Sequence, residues 1–229
     1  MKKIAVLGDS RGIGLALRNQ LLASGQQVIG ASRSTGESGD RYTHFQHDVV
    51  ANPLNLSDYT DHLDGLVYCP GTINLKPFRG FKKTDVLNDI EVNYLGAFLN
   101  IQANLKLLKA SDQGRVVLFS TVAVQTGMSF HASIAGAKAA IEGLTRSLAA
   151  ELAPAIRVNC IAPSLTNTSL AEGFLNNDKK LESANQRHPL KRIGTAEELA
   201  STAAWLLSDE SSWITGQIIH QDGGLGSVR

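Results

Sequence analysis

Short apolar runs alternate along the chain with longer stretches whose apolar residues recur at helical spacing. The run Ile4, Ala5, Val6, Leu7 stops at Gly8, as a strand buried on both faces does. Residues 12–24 then place Ile13, Leu17, Leu21 and Leu22 on one helix face. The same reading predicts strands over 27–31, 43–47, 65–69, 115–119, 157–161 and 217–220, and helices over 84–108, 131–152 and 195–207. Residues 32–41 and 164–180 read as loops, the first rich in Ser, Gly and charge, the second polar and Asn-rich. Strand and helix alternate throughout, which predicts an α/β fold with a parallel sheet covered by helices on both faces. With no internal repeat, low-complexity tract or linker, residues 1–229 are expected to form a single domain.

Composition narrows the class without naming a chemistry. Hydrophobic residues make up 43% and charged residues 19%, ordinary values for a soluble globular protein. A formal net charge of +1 gives no reason to expect nucleic acid or an anionic membrane as partner. Cys69 and Cys160 sit apart in apolar runs, which predicts buried inert thiols rather than a disulfide framework or a metal site. Met1-Lys2-Lys3 runs straight into the first strand and no apolar run reaches membrane-spanning length, so a reducing cytoplasm is the expected setting.

The first candidate chemistry lies where the first strand meets the first helix, in Gly8-Asp9-Ser10-Arg11-Gly12-Ile13-Gly14. Glycines there allow a tight turn and close approach of the backbone to a pyrophosphate, and the following helix points free N–H groups at the anion. A glycine-rich turn that serves only packing is the alternative, but the strand before and the helix after favour the phosphate reading. The second strand ends in Ala31-Ser32-Arg33-Ser34, with no acid to hold a ribose 2′-hydroxyl. Arg33, with Arg11 nearby in the glycine loop, suits a 2′-phosphate instead, so NADPH (NADP+) is the expected cofactor. A solvated loop arginine is the other reading of Arg33.

Together with motifs further along, this loop resembles the short-chain dehydrogenase/reductase family over almost the whole chain. Asp48-Val49 resembles the family's Asp-Val after the third strand, where the Asp contacts adenine. Gly71, in Tyr68-Cys69-Pro70-Gly71, is all that remains of the family's Asn-Asn-Ala-Gly. Asn93 matches the helix asparagine that supports a water near the catalytic lysine. Phe119-Ser120-Thr121 matches the strand that carries the catalytic serine, and Arg157 to Pro163 the strand leading to the nicotinamide side. Thr168 matches a threonine that contacts the nicotinamide side, and Ser164 replaces a usual glycine. Ile214-Thr215-Gly216 and Asp222-Gly223-Gly224 match the C-terminal signature, while 166–177 and the charged stretch after it resemble a substrate lid. The resemblance implies a Rossmann-type, doubly wound parallel sheet of about seven strands. It also implies redox chemistry on a small-molecule carbonyl or alcohol, and assembly through the long helices as a homodimer or homotetramer.

The family's serine positions the carbonyl, its tyrosine exchanges the proton, and its lysine lowers the tyrosine's pKa while holding the nicotinamide ribose. Carried over position by position, Asn93 and Lys138 are present and the serine position falls on Thr121, which still offers a hydroxyl. Ser120 beside it is expected to point to the opposite face of the strand. The tyrosine position is Ile134, which can neither give nor take a proton. Losing a general acid typically costs about 10²–10⁴ in rate. Residues 131, 134, 135 and 138 share a helix face, and His131 precedes Lys138 at the spacing used by the tyrosine of the family's enoyl-reductase branch, so His131 is a candidate donor. A partly exposed polar residue at the helix start is its plainer reading. Two functions therefore stay open: an NADPH-dependent reductase with an altered proton donor, or a weakly active or inactive NADPH-binding protein, such as a redox sensor or partner subunit.

Overall fold

The computed structural model describes residues 1–228. Its main strands are β1 (Lys3–Leu7), β2 (Gln27–Ser32), β3 (Tyr42–Gln46), β4 (Gly65–Tyr68), β5 (Gly114–Phe119), β6 (Ile156–Pro163) and, near the C-terminus, β9 (Ile218–Gln221). They form one seven-stranded sheet in the order β3-β2-β1-β4-β5-β6-β9, with every pairing parallel. A small ribbon pairs β7 (Thr166–Asn167) with β8 (Gly194–Thr195). The helices are α1 (Gly12–Ala23), α2 (Lys83–Ile90), α3 (Gly96–Ala103), α4 (Leu105–Lys109), α5 (Ala123–Thr126), α6 (Ala132–Leu152), α7 (Glu172–Leu175), α8 (Asp178–Arg187) and α9 (Ala196–Leu206).

The strands are apolar without alternation because both faces are covered. Leu7, Leu66 and Leu118 point into one core with Ile101, Leu108 and Ile141 from α3, α4 and α6. Their neighbours Val6, Val67 and Val117 point into a second core with Leu17 of α1 and Leu199 of α9. Helix α9 starts in a reciprocal cap, Glu198 N–H donating to Thr195 Oγ1 (3.2 Å) and Thr195 N–H to Glu198 Oε2 (2.9 Å). At its other end Arg157 donates to the carbonyls of Leu206 (3.0 Å) and Ser208 (3.1 Å), which the helix leaves unpaired.

Three expectations change. The single helix over 84–108 is α2, α3 and α4, joined by a π-helical turn at Glu91–Leu95 and a break at Asn104. In the π turn Gly96 N–H donates to Glu91 O, five residues back, and Val92 O accepts the Tyr68 hydroxyl at 2.7 Å. Only glycine fits at 96, because a Cβ would collide with that hydroxyl. The loop over 164–180 contains β7, α7 and the start of α8, whose first turn is closed by Asn177 Oδ1 accepting from Lys180 N–H (2.9 Å). His131 stands just outside α6 instead of within it. Residues 33–41 hold no helix, as expected.

Between β3 and β4 the chain makes turns at 49–51 and 57–59, and the stretch 53–56 between them has no strand partner. Two buried asparagines supply its hydrogen bonds. Asn100 accepts from Leu54 N–H (2.9 Å) and donates to Val49 O (2.7 Å). Asn104 accepts from Leu56 N–H (3.0 Å) and donates to Leu54 O (2.7 Å). Buried backbone must be paired somewhere, and here helix side chains do it.

Candidate active site

Strand order reverses between β1 and β4, and ligand crevices of open α/β sheets form at the carboxyl ends of the strands at such a point. A cavity of about 600 Å³ lies there. Gly8, Ser10, Arg11, Gly12, Ile13 and Gly14 line it. Gly8 (φ +86°) and Gly12 (φ +54°) hold left-handed turns, and a Cβ at Gly14 would collide with Gly8 O, so the glycines let α1 rest on the loop. The first turn of α1 has no acidic residue, which leaves its N–H groups and positive end open to an anion.

Other residues of the expected cofactor site line the rest of the cavity. Ser32 and Arg33 line it at the end of β2, with Arg33 exposed and Ser32 buried and donating to Ser34 O (3.3 Å). Asp48 lines it after β3 and accepts from Val50 N–H (3.0 Å) and Ala51 N–H (3.3 Å). Gly71 and Thr168 line its inner side. Two guanidinium groups, a glycine cradle and an open helix N-terminus fit a dinucleotide with a 2′-phosphate. Pro163 ends β6 behind this wall and does not line the cavity.

Lys138 lies on α6 and is 8% exposed. Its Nζ donates to Phe119 O at 2.8 Å and stands 3.6 Å from where a Cβ on Gly71 would be, with Asn93 Oδ1 3.3 Å from the same point. Burial pushes the ammonium down to about 8, while Cys160, Cys69 and Asp89 pull it back up. Both thiols are pushed up to about 12, chiefly by burial, as suits inert cysteines. Asn93 donates to Thr72 Oγ1 and to Asp89 O, both at 2.8 Å.

Sequence reasoning missed Asp89, which is fully buried. Its carboxylate accepts from Thr72 Oγ1 (2.6 Å), Asn74 Nδ2 (2.7 Å) and Ser133 Oγ (2.5 Å). Asp89 thus ties the loop after β4 to α6 beside Lys138. The available signal was its spacing, four residues before Asn93 and so on the same helix face.

The catalytic positions are only partly brought together. Ile134 is 4% exposed, one turn before Lys138 on α6. Thr121 is half-buried after β5, its Oγ1 accepting from Ala123 N–H at 3.3 Å. β5 ends at Phe119, so the strand alternation expected for Ser120 does not apply; Ser120 donates to Glu142 Oε1 of α6 (2.8 Å). His131 is half-buried and donates from Nδ1 to Ser129 O (2.8 Å), which leaves Nε2 with no hydrogen-bond partner among the described residues. Phe130 beside it has φ +71°, a strained value for a bulky residue. No hydrogen bond joins His131 to Lys138 or Thr121 among the described residues. Ser164 meets His188 Nε2 at 2.8 Å and Asp222 O at 3.3 Å, tying the loop after β6 to α8 and the C-terminal segment. Among the described residues no helix is long and apolar enough to cross a membrane.

Known proteins resemble this chain in sequence and fold. A family model described as enoyl-(acyl carrier protein) reductase matches residues 48–226. The 3-oxoacyl-(acyl-carrier-protein) reductase of Aquifex aeolicus is 32% identical over 242 aligned residues, covering 96% of this chain and 95% of that protein. The ligand-free aldohexose dehydrogenase of Thermoplasma acidophilum superposes with a TM-score of 0.90 at 29% identity, covering 100% of this chain and 94% of that one. The gluconate 5-dehydrogenase of Burkholderia cenocepacia, solved with NADP and tartrate, gives 0.90 at 26% identity, covering 99% and 95%. The likeness runs through both the sequence and the fold, and the chain belongs to the short-chain dehydrogenase/reductase family of oxidoreductases.

Proposed function

We propose that this chain is an NADPH-dependent oxidoreductase that interconverts a carbonyl and an alcohol on a small molecule, with its proton donor displaced from position 134. The observation that carries the reading is the burial of Lys138 just behind Gly71, a residue of the cavity wall, although Lys138 itself does not line the cavity. A buried ammonium costs stability, and a lysine serving only solubility would not be placed there. Bound NADPH would supply the hydride. Arg11 and Arg33 would hold the 2′-phosphate and the α1 N-terminus the pyrophosphate. Asp48 would meet adenine, and Lys138 the nicotinamide ribose. Thr121 would donate a hydrogen bond to the substrate carbonyl. His131, with Nδ1 occupied by Ser129 O, would deliver the proton from Nε2. Two unpaired thiols agree with a reducing, cytoplasmic setting.

Buried Ile134 favours a second reading, an NADPH-binding protein without turnover. One assay separates them. NADPH oxidation by the native chain is followed against a panel of ketones, aldehydes and enones, beside thermal melts with NADPH or NADH. At a hundred times its dissociation constant NADPH stabilises the fold by about 2.7 kcal/mol. The proposal expects a larger shift with NADPH than with NADH, measurable turnover, and a rate that falls at least tenfold in His131→Ala. No shift with NADPH sinks the cofactor assignment. A normal shift with no turnover, and turnover restored in Ile134→Tyr, leaves the binding protein.

A further inference from the structure

The loop that carries Arg33 is wrapped around one side chain, His44, in the middle of edge strand β3. The His44 side chain is 4% exposed. Its Nε2 is 2.9 Å from Ser34 O and its Nδ1 is 2.9 Å from the Tyr42 hydroxyl. Its backbone N–H donates to Ser38 Oγ at 2.9 Å. Gly36 lies flat on the ring, so that a Cβ there would come within 2.7 Å of Cγ. Positions 34, 36 and 38 of the loop are thus all seated on His44.

Counting protons assigns its charge. Ser34 O can only accept, so Nε2 donates. Tyr42 gives its one hydroxyl proton to Asp9 Oδ2 in a short hydrogen bond, so toward His44 its oxygen accepts and Nδ1 donates. Both ring nitrogens therefore carry hydrogen, which makes the ring an imidazolium. Its countercharge is present. Asp9 is fully buried, and its Oδ1 has no hydrogen-bond partner among the described residues and lies 3.8 Å from Nδ1. The space for this carboxylate exists because residue 30, paired with His44 in the sheet, is glycine, whose Cβ would collide with it. The other charged group at the cluster is Arg18 of α1, with Nη1 3.9 Å from Asp9 Oδ2 and 3.3 Å from the Tyr42 hydroxyl. Arg33 and Glu37 are exposed in the loop outside it. Arg18 and His44 against Asp9 leave the cluster one positive charge in excess.

We propose that His44, as a buried imidazolium, is a specificity residue for the cofactor's 2′-phosphate, because it orders the loop that presents Ser32, Arg33 and Ser34 and adds positive charge beneath it. The inference rests on the NADPH reading and extends it to a residue outside the cavity wall. Adenosine 2′,5′-bisphosphate and 5′-ADP probe the adenosine half alone. Their affinities are measured by calorimetry at pH 6.5 for the native chain and for His44→Gln, which is uncharged and keeps one donor. The expected result is a preference for the 2′-phosphate that falls on the order of tenfold in His44→Gln, with 5′-ADP binding changed less than threefold. An unchanged preference, or equal loss for both nucleotides, overturns the role of His44 while the NADPH reading stands. Failure of the native chain to bind either nucleotide overturns both. Nitrogen-15 spectra of the native chain, assigned by difference from His44→Gln, should show two protonated ring nitrogens on His44. A single ring proton overturns the imidazolium whatever the affinities are.

Discussion

Lys138 holds its charge in a place that opposes it. Its folded pKa of about 8 lies below the ordinary lysine value near ~10.4. Between those pH values the folded chain binds fewer protons than the unfolded one, so this group makes the fold more stable as pH rises through the window. Below pH ~8 both states are charged and the burial penalty is paid in full. Lys138→Met removes the titration. Thermal or urea unfolding should therefore show the native chain gaining on Lys138→Met by roughly 3 kcal/mol as pH rises from about 8 to ~10.4. A difference independent of pH would contradict the buried ammonium. The same variant should lose most of the NADPH-induced shift at pH 7. At this scale the sequence was partly legible. The glycine loop, Arg11, Arg33, Asn93 and Lys138 stood out because each needs a particular residue type. Asp89 and His44 did not, because an acid in a helix or a histidine in a strand reads as a solvated side chain until its partners are known.

Elements here depend on side chains that reach outside their own helix or strand. Asn100 and Asn104, one helical turn apart, serve the backbone of residues 49–56 as a neighbouring strand would. Asn104→Ala would leave Leu56 N–H and Leu54 O without partners in the core, and should cost about 2–4 kcal/mol in urea unfolding. A loss below ~0.5 kcal/mol would mean that water takes over both bonds. Strand positions were readable because apolar runs of four to six residues bounded by Gly, Pro or Asp have few other uses in a chain of this kind. The divided helix over 84–108 was not readable, since its periodicity continues across the π turn and asparagine's hydrogen bonds are invisible in a hydrophobic pattern. The same limit hid α8, whose start depends on a single Asn177 cap in a polar stretch.

Across the whole molecule, one end of the sheet carries the cavity and the flanks carry apolar residues that the monomer leaves open. Val86, Leu87, Leu95 and Leu99 are exposed along α2, the π turn and α3, and Trp213 is 99% exposed. Leu95 and Leu99 are four apart and share a helix face. This supports assembly through the long helices, which we propose as a homodimer or homotetramer. Sedimentation at micromolar concentration should give a species larger than the 24.5 kDa chain, and Leu95→Glu with Leu99→Glu should shift it toward the monomer. A native monomer at that concentration would contradict the proposal.

The π turn at Glu91–Leu95 also sets how this chain can vary. It amounts to one extra residue accommodated within a helix, with α2 in register on one side and α3 on the other. Asn93 sits in the middle of it, buried, and the Tyr68 hydroxyl donates to Val92 O within it. Substitutions at the exposed positions of this stretch change little of that, but a change of length does. Losing one residue would restore α-helical spacing and rotate one flank by about 100° relative to the other. Either Asn93 would leave Thr72 and Asp89, or Asn100 and Asn104 would leave residues 49–56. At the exposed positions of this stretch, the number of residues is under tighter constraint than their identity.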